Sequence, residues 1–240
     1  MYKLGKRIPV IDRRTLPFKK LLKGLPPIPE EFDLDNKEIP ARMMGNDRYG
    51  NCVIVGRANQ TLRFEHSEQD KVLDIKDREV LKEYFIEGGA TCWNKTPDRG
   101  LSMLTSLNSW RKDGWIAAGQ RYNIYGFAKI DLNNYYLRAA MFLLNGINIG
   151  LSLPDNYDSE VWENTDLPPN PKNGHCVYVP PVCDKEGLYC ITWGQKKRMS
   201  WPFILSYCDE PYAVLDNKNK FRCNSNIDIL LLSSYLEALK

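Results

Sequence analysis

Three residues of this chain are the first candidates for nucleophilic and acid–base chemistry: Cys52, His66 and His175. Cys52 follows a polar, glycine-containing stretch, residues 44–51, and precedes an apolar segment with helical spacing. A thiol at a helix N-terminus faces unsatisfied backbone N–H groups and the positive end of the helix dipole, and both favour the thiolate. The pattern therefore predicts a reactive thiol at Cys52, with a buried structural cysteine as the alternative.

A cysteine nucleophile needs a base, and histidine is the usual one because its pKa lies near neutrality. His66 lies in the same predicted helical region as Cys52, and a straight helix would separate the two residues by about 20 Å. His175 instead opens a predicted strand after the proline-rich residues 154–174. Its side chain can project across a cleft from that rigid element. His175 is therefore the better candidate base, with a satisfied core or surface histidine as the alternative.

The composition is that of a folded protein with its own core. The chain has 240 residues, of which 43% are hydrophobic and 26% charged, as in ordinary globular proteins. No window approaches the roughly 20 apolar residues of a membrane span, and the N-terminus lacks the apolar region of a signal peptide. We therefore expect a soluble protein without membrane contact in a reducing, cytoplasmic compartment.

The cysteines show no spacing typical of disulfides or metal ligands. Seven cysteines, an odd number, lie scattered at residues 52, 92, 176, 183, 190, 208 and 223, which argues against a disulfide framework. The chain has no CxxC motif and only two histidines. We predict no metal and no cofactor, and a zinc site at Cys176, Cys183 and Cys190 is the alternative.

Positive charge is concentrated at the N-terminus. Residues 1–24 hold eight of the 33 Lys and Arg residues but only one of the 30 acids. The proline-rich residues 24–29 that follow exclude helix. We interpret this basic arm as a solvated or surface-wrapping segment, and the alternative is that it binds an anionic partner or joins the protein to a larger particle.

Helical spacing of apolar residues marks the first half of the chain, and strand patterns mark the second. The spacing predicts helices from Cys52 to about Phe64, from Lys76 to Phe85 and over 101–111. Strands are predicted at 126–130, 147–153, 175–182, 188–193 and 212–215, with helices at 132–145 and 227–239. Residues 195–198 are expected to form a polar excursion. The order indicates an α+β fold whose halves face each other across a cleft.

Five segments, in order along residues 28–215, resemble segments of the papain-like cysteine peptidases. Asn46, Gly50 and Cys52 stand where that family has a glutamine, a glycine and its catalytic cysteine. The other four segments are 28–34, 98–101, 173–177 and 191–194. They resemble the Ile-Pro-Glu start of the family domain, its substrate-binding glycine segment, its histidine segment and its Asn-Ser-Trp-Gly segment. The pattern is similar to that of compact bacterial and phage members.

The resemblance implies a fold and a set of roles. It implies a papain-like two-lobed fold, with a helical lobe whose central helix carries the nucleophile and a lobe of antiparallel sheet. Cys52 would be the nucleophile and His175 the base, and Asn46 would donate to the oxyanion beside the N–H of Cys52. The residues implied at the bound peptide are Gly100, Leu101, Gly174 and Trp193, of which Trp193 would also shield the histidine. The implied chemistry is amide hydrolysis through an acyl-enzyme.

The pattern departs from the family at the residue that orients the histidine. Ile191 takes the place of the family asparagine when His175 and Trp193 are kept in register, and isoleucine forms no side-chain hydrogen bond. Thr192 is the candidate for this role, although strand alternation would turn it to the other face unless a bulge intervenes. Tyr49 replaces the family's disulfide cysteine, which fits an intracellular setting.

The leading hypothesis is a papain-like cysteine hydrolase, a peptidase that acts on an extended peptide or protein. The alternative is a papain-fold protein with an impaired triad that serves as a structural or binding component, for instance of a phage virion. A third interpretation keeps the thiol chemistry but acts on a peptidoglycan amide or transfers an acyl group. The protein would lie in the cytoplasm, or in the host cytoplasm or virion if phage-encoded.

The predicted organisation is a basic arm and linker, residues 1–27, followed by one domain, residues 28–240. Within the domain we expect a mainly helical lobe at 28–115, a mainly β lobe at 116–223 and a C-terminal helix at 224–240. An arm of 27 residues is shorter than the long inhibitory propeptide of lysosomal family members.

Overall fold

We describe the protein from a computed structural model, which gives residues 2–35, 37–90, 97–216 and 226–238. Cys92, Cys223, residues 94–96 of a predicted turn and the predicted boundary at 223–224 lie outside these residues. The helices are α1 (Cys52–Gln69), α2 (Asp77–Ile86), α3 (Met103–Lys112), α4 (Asn134–Leu144), α5 (Trp201–Tyr207) and α6 (Ile229–Glu237). Within the described residues, none of the helices is long and apolar enough to cross a bilayer.

The strands form one large antiparallel sheet and one small hairpin. They are β1 (Phe32–Asp33), β2 (Trp115–Ala117), β3 (Gln120–Tyr122), β4 (Ile124–Lys129), β5 (Ile147–Ser152), β6 (Gly174–Val179), β7 (Val182–Cys183), β8 (Gly187–Thr192), β9 (Gln195–Ser200) and β10 (Cys208–Asp216). The large sheet has the order β1-β7-β8-β6-β5-β10-β4, β9 pairs with β8, and β2 pairs with β3. All strands except β1 follow α1, α2 and α3, and the strands pair antiparallel, so the predicted α+β class is confirmed.

Helix α1 is the central helix of the first half. Every residue from Cys52 to Glu65 is buried, and the helix lies against α2, α3 and β6. The prediction ended near Phe64, but the helix continues to Gln69 because the polar residues after Phe64 are compatible with a helix that leaves the core. It ends at Asp70, which has φ 51° and donates its N–H to His66 O.

Two elements between β8 and β10 differ from the prediction. Residues 195–198, expected as a polar excursion, belong to β9, which pairs with β8 from Thr192 opposite Gln195 onward. Trp193 (φ 45°) and Gly194 (φ 74°) form the turn, and positive φ at both central residues suits a two-residue hairpin. The aromatic residues 201–207 form α5, which Ser200 caps through its Oγ. The strand was missed because its polar sequence lacks an alternating apolar face.

The basic arm packs onto the domain. Phe18 and Leu21 are fully buried in the hydrophobic core beside α4 and the sheet, and Lys129 donates its N–H to Leu16 O at 2.8 Å. Residues 16–22 therefore follow the surface-wrapping interpretation. The boundary between an arm (1–27) and a domain (28–240) stays a prediction.

Candidate active site

Cys52 is the first residue of α1, as the glycine-containing stretch before it predicted. The residue is buried, with 1% of its surface exposed. Its Sγ accepts the backbone N–H of Cys176 at 3.4 Å, and Cys176 is the residue that follows His175 on β6. The thiol therefore lies at the junction of the central helix and the sheet, directly beside the strand that carries the candidate base.

Gly56 explains how α1 comes so close to the sheet. A Cβ at this position would lie 2.7 Å from Asn148 Oδ1 on β5 and 3.4 Å from Cys176 Sγ on β6. The first of these distances is shorter than side chains tolerate, so a side chain at position 56 would displace Asn148. A glycine one helical turn after Cys52 thus permits the contact between its thiol and β6.

His175 is fully buried, and three side chains fix its ring. Its Nε2 lies 2.7 Å from Thr192 Oγ1, and the ring stacks on Trp193 with a centroid distance of 4.4 Å. Trp162 packs edge-on at 6.4 Å. The other ring nitrogen, Nδ1, has no hydrogen-bond partner among the described residues. The imidazole is therefore held at one nitrogen and unengaged at the other, which is the arrangement that a proton-transferring histidine requires.

Thr192 reaches His175 without a bulge, contrary to the expectation from simple alternation. Tyr178 lies opposite Ile191 in the pairing of β6 with β8, so these two side chains share one face of the sheet. Alternation then places both His175 and Thr192 on the other face. Ile191, which the family pattern aligned with the orienting asparagine, therefore points away from the imidazole. The pairing register decides this, and it cannot be read from either strand alone.

The long loop 154–174 contributes an aromatic wall that the sequence did not indicate. Trp162 is 1% exposed, donates its Nε1–H to Tyr157 O at 2.8 Å and lies edge-on to Trp193. Lys197 Nζ lies 4.8 Å from the centre of the Trp162 ring. The loop thus helps to exclude water from His175.

Asn46 is buried in the turn before α1. Its Nδ2 donates to Tyr49 O at 3.1 Å, and its backbone N–H donates to Met43 O at 3.0 Å. An amide NH2 carries two hydrogens, so one remains for a second acceptor. The described hydrogen bonds therefore fix Asn46 within its own turn and do not join it to Cys52.

Residues that were predicted to bind a peptide contact the N-terminal segment of the chain itself. Gly174 O accepts the backbone N–H groups of Gly5 at 3.1 Å and Lys6 at 3.0 Å. On the other side, Leu101 donates its N–H to Gly5 O at 2.8 Å and accepts the N–H of Arg7 at 2.9 Å. Residues 5–7 thus lie as a short strand across the cleft, with Lys6 paired parallel to Leu101.

The fit of the arm depends on glycines. A Cβ on Gly5 would lie 2.0 Å from Gly50 O, one on Gly100 would lie 1.8 Å from Gly5 O, and one on Gly174 would lie 2.0 Å from Lys6 O. These distances leave no room for a side chain. Tyr2 lies further along the cleft and stacks on Trp193 at 4.6 Å. The sequence offered one signal for this contact, a glycine amid the basic residues of the arm.

Burial sets the protonation of both candidate catalytic groups. Loss of solvent raises the pKa of Cys52 to about 11, although N–H groups of Cys176 and Gly5 and the charge of Lys6 act in the opposite direction. Burial, reinforced by the positive charges of Lys197 and Lys6, lowers the pKa of His175 to about 3. In this form the site therefore holds a neutral thiol and a neutral imidazole.

The cysteines considered for a zinc site do not come together. Cys176 lies beside α1, whereas Cys183 donates to Glu30 O at the far edge of the sheet. Within the described ranges, the one group of three potential metal ligands is Glu65, Glu68 and Asp216, away from the cleft.

No family model and no curated protein sequence matches the chain. Solved structures share its fold. Xylellain, a cysteine protease from Xylella fastidiosa, aligns with a TM-score of 0.70 and 15% identity, over 90% of this chain and 96% of its own. The Carica candamarcensis cysteine protease CMS1MS2 aligns with a TM-score of 0.57 and 13% identity, over 79% and 100%. Procathepsin B S9 from Trypanosoma congolense aligns with a TM-score of 0.58 and 11% identity, over 90% and 87%. The predicted papain-like fold is therefore confirmed.

Proposed function

We propose that this protein is a cysteine peptidase that cleaves peptide amide bonds with Cys52 and His175, and that its own arm blocks the cleft. The supporting observation is the arrangement of His175. Its ring is held by Thr192 and Trp193, its Nδ1 is unengaged among the described residues, and the next residue of its strand bonds Cys52 Sγ.

The proposed reaction uses both nitrogens of His175. In the tautomer with hydrogen on Nε2, that N–H donates to Thr192 Oγ1, and the Nδ1 lone pair accepts the thiol proton of Cys52. The thiolate then attacks the substrate carbonyl carbon, and the leaving amine takes the proton from His175. Water hydrolyses the resulting acyl-enzyme. The N–H of Cys52 and Nδ2 of Asn46 are the proposed donors to the oxyanion.

The arm must leave before this chemistry can occur. Gly5 lies beside the sulfur, and a thiol whose pKa burial has raised to about 11 is almost entirely protonated at neutral pH. Departure of the arm admits water, which lowers the thiol pKa and raises the imidazole pKa toward their ordinary values. The two groups can then exchange a proton, so displacing the arm activates the enzyme.

A variant with a displaced arm tests the proposal in the full-length chain. Gly5→Val cannot seat beside Gly50 O, so we expect it to open the cleft, whereas Lys3→Ala, an exposed change in the same arm, leaves it closed. An epoxide or iodoacetamide reagent near pH 6 should modify Cys52 in Gly5→Val much faster than in the parent. His175→Ala added to Gly5→Val should abolish the gain. Labelling of Cys52 no faster than of the other cysteines would refute the proposal.

Peptide hydrolysis provides the second measurement. Gly5→Val should cleave an unfolded protein such as casein, and Cys52→Ser in the same background should not. Thr192→Val removes the Oγ1 partner of His175 with little change in shape, so we expect a lower kcat with a shifted pH profile. Thr192→Ser should restore both. A lower kcat with an unchanged pH profile would indicate a structural role for Thr192.

A second candidate function is a binding or structural component that keeps the fold without catalysis. The observation that favours it is a threonine at the position that orients the histidine, since a hydroxyl is not the asparagine of the family pattern. The same variants separate the two functions. Gly5→Val that binds peptides but neither hydrolyses them nor reacts selectively at Cys52 would establish the second candidate.

We propose that the protein works in a reducing, cytoplasmic compartment, in a bacterium or with its phage. All five cysteines in the described parts of the chain are free and buried, which fits thiols that are kept reduced. Alkylation of the denatured protein straight from its native source should label all seven cysteines. Disulfide-linked pairs in that experiment would contradict the proposed compartment.

A further inference from the structure

The side chain of Lys6 fills a pocket that opens from the cleft. It is 1% exposed, and its Nζ lies 3.0 Å from Asp209 Oδ2 and 3.4 Å from Glu210 Oε1. The same Nζ donates to Arg7 O at 3.2 Å. Lysine is rarely buried to this extent unless it is paired. The two carboxylates at the start of β10 therefore form the floor of a pocket for a positive charge.

Gly150 creates the space for the aliphatic part of this side chain. A Cβ on Gly150 would lie 2.7 Å from Lys6 Cδ, 2.6 Å from Glu210 Cγ and 2.9 Å from Met103 Sδ. The pocket is thus lined by apolar Met103, has free space where Gly150 lacks a side chain, and ends at the two carboxylates. A long unbranched side chain with a terminal cation matches this shape.

The acids of the floor have more capacity for hydrogen bonds than one lysine uses. Asp209 Oδ2 also accepts from Ser152 Oγ at 2.7 Å, whereas Asp209 Oδ1 is buried and has no partner among the described residues. Tyr212 donates to Glu210 Oε2 at 3.3 Å. Burial raises the pKa of Glu210 to about 7, against the lowering effect of Lys6. An arginine could use the unengaged oxygen of Asp209.

The backbone around Lys6 places this pocket in the peptide-binding part of the cleft. Lys6 donates its N–H to Gly174 O, one residue before the proposed base, and pairs with Leu101 on the opposite wall. The neighbouring arm residue, Gly5, lies beside Cys52. A side chain in this pocket therefore belongs to a residue held next to the reacting atoms.

We infer that this pocket selects substrates, and that the protein acts on peptides with a lysine or arginine next to the cleaved bond. The inference rests on the proposed function, and it identifies Asp209 and Glu210 as the residues that determine specificity. Lys6 occupies the place of the substrate's basic side chain. A competing explanation is that the two acids only hold the arm in place. A positive charge on a free peptide would then not increase its affinity.

The test uses the full-length chain with the double change Gly5→Val and Lys6→Ala, which empties the pocket and keeps Asp209 and Glu210. Cys52→Ala is added for the binding measurements, so that binding does not depend on catalysis. The probes are fluorescein-labelled hexapeptides in which lysine, arginine, norleucine or glutamate occupies each position in turn. Norleucine matches the aliphatic chain of lysine without its charge, and fluorescence anisotropy gives the Kd of each peptide.

We expect lysine or arginine at one position to lower Kd at least about tenfold relative to norleucine. Asp209→Asn with Glu210→Gln should reduce that preference to less than about twofold. Glu186→Gln, which removes an exposed acid that pairs with Arg198, should leave it intact. Equal binding of lysine and norleucine peptides in the unaltered pocket would overturn the inference. A preference that survives the Asn and Gln changes would also overturn it.

Hydrolysis by the form that keeps Cys52 separates this inference from the proposed function. Basic peptides that bind selectively but are not cleaved would support the inferred specificity of the pocket and refute the proposed peptidase activity. Peptides that are cleaved without preference for a basic residue would support the proposed peptidase activity and refute the inferred specificity of the pocket. Because the norleucine comparison needs no substitution in the floor, a variant that folds poorly cannot decide the result.

Discussion

Two buried basic residues of this protein are each held by two acids, yet they have different surroundings. Arg57 on α1 lies 2.9 Å from Glu83 Oε1 and also bonds Glu87 and Ser106. Lys6 on the arm lies between Asp209 and Glu210. The guanidinium joins three helices of the first half of the chain. The ammonium joins a terminal arm to a strand more than two hundred residues away in the sequence.

The difference lies in what can replace each cation. Arg57 is enclosed by its own helices, and its fork of donors meets oxygen atoms on α2 and α3 while the Trp110 ring covers it at 5.3 Å. Lys6 lies on a segment that can leave the cleft, and Asp209 beside it is 24% exposed. Similar charge arrangements can therefore stabilise a fold in one place and hold an exchangeable group in another.

The largest expected effect is on stability, from Arg57→Met. Removing one partner of a buried ion pair leaves uncompensated charge, so we expect the free energy of unfolding to fall by about 3–5 kcal/mol. Urea unfolding followed by circular dichroism measures this change. The exposed Arg78→Met on α2 is the control and should stay within about 0.5 kcal/mol of the parent. A decrease in the free energy of unfolding below about 1 kcal/mol for Arg57→Met would remove the distinction between the ion pairs of Arg57 and Lys6.

The next effect is on reactivity, from Lys6→Met. Because the arm loses its charged anchor, we expect alkylation of Cys52 to accelerate at least about tenfold. The free energy of unfolding should fall much less than for Arg57→Met. Lys3→Met, an exposed change in the same arm, should leave the alkylation rate unchanged. Acceleration by both variants alike would show that the buried pair does not hold the arm.

Titration of His175 should favour the open cleft in acid. With the arm seated, burial, Lys197 and Lys6 lower the pKa of His175 to about 3 from 6.5. The open form therefore binds more protons between these values, and falling pH favours opening. Glu210 acts in the opposite direction, because burial raises its pKa to about 7 in the closed form and water in the open cleft returns it toward its ordinary value.

The measurement is the ratio of epoxide labelling of Cys52 in the parent to that in Gly5→Val, which removes the intrinsic pH dependence of the thiol. With Glu210→Gln present in both proteins, which removes the opposing titration, the ratio should rise on the order of tenfold from pH 7 to pH 5. His66→Gln should leave this rise in place, because His66 lies at the other end of α1. A ratio that falls or stays constant on acidification would contradict the lowered pKa of His175 in the closed form.

The smallest effect concerns the exposed charges of the arm. Seven of its eight basic residues are exposed, and Lys6 is the exception. We predict weak binding of the arm to an anionic partner, tested with heparin as the probe, and a loss of that binding in moderate salt because exposed charges are screened. Replacing Lys19, Lys20 and Lys23 with glutamine should weaken it, whereas Lys6→Met should not. Binding that resists salt would point to a buried contact instead.

The sequence predicted much of the fold because the evidence for it is local. Apolar periodicity located α2, α3 and α4 to within two residues at each end, since each of these helices buries one face. It missed β9, whose lysines and arginine show no apolar alternation and which forms because β8 lies beside it. It ended α1 early because helical periodicity is visible only while the helix contacts the core.

The candidate site was predicted in part. Residue type and spacing selected Cys52 and His175, and the structure brings their segments together through the Cys176 N–H. Thr192 was selected because it follows Ile191 in the sequence, and its orientation toward His175 follows from the register of β8 against β6. Trp162 was missed because a tryptophan in a proline-rich loop carries no indication of what it covers.

The sequence by itself determined a thiol at a helix start, a histidine on a strand, an α+β order of elements and an unusually basic N-terminal segment. Only the tertiary structure decided that this segment crosses the cleft, that Gly5 lies on the thiol and that Lys6 fills an acidic pocket. The physical reason is that these contacts join residues far apart in the chain. The space beside a glycine, the register of two strands and the burial of a charge all depend on which distant segments come into contact. No local sequence pattern encodes those contacts.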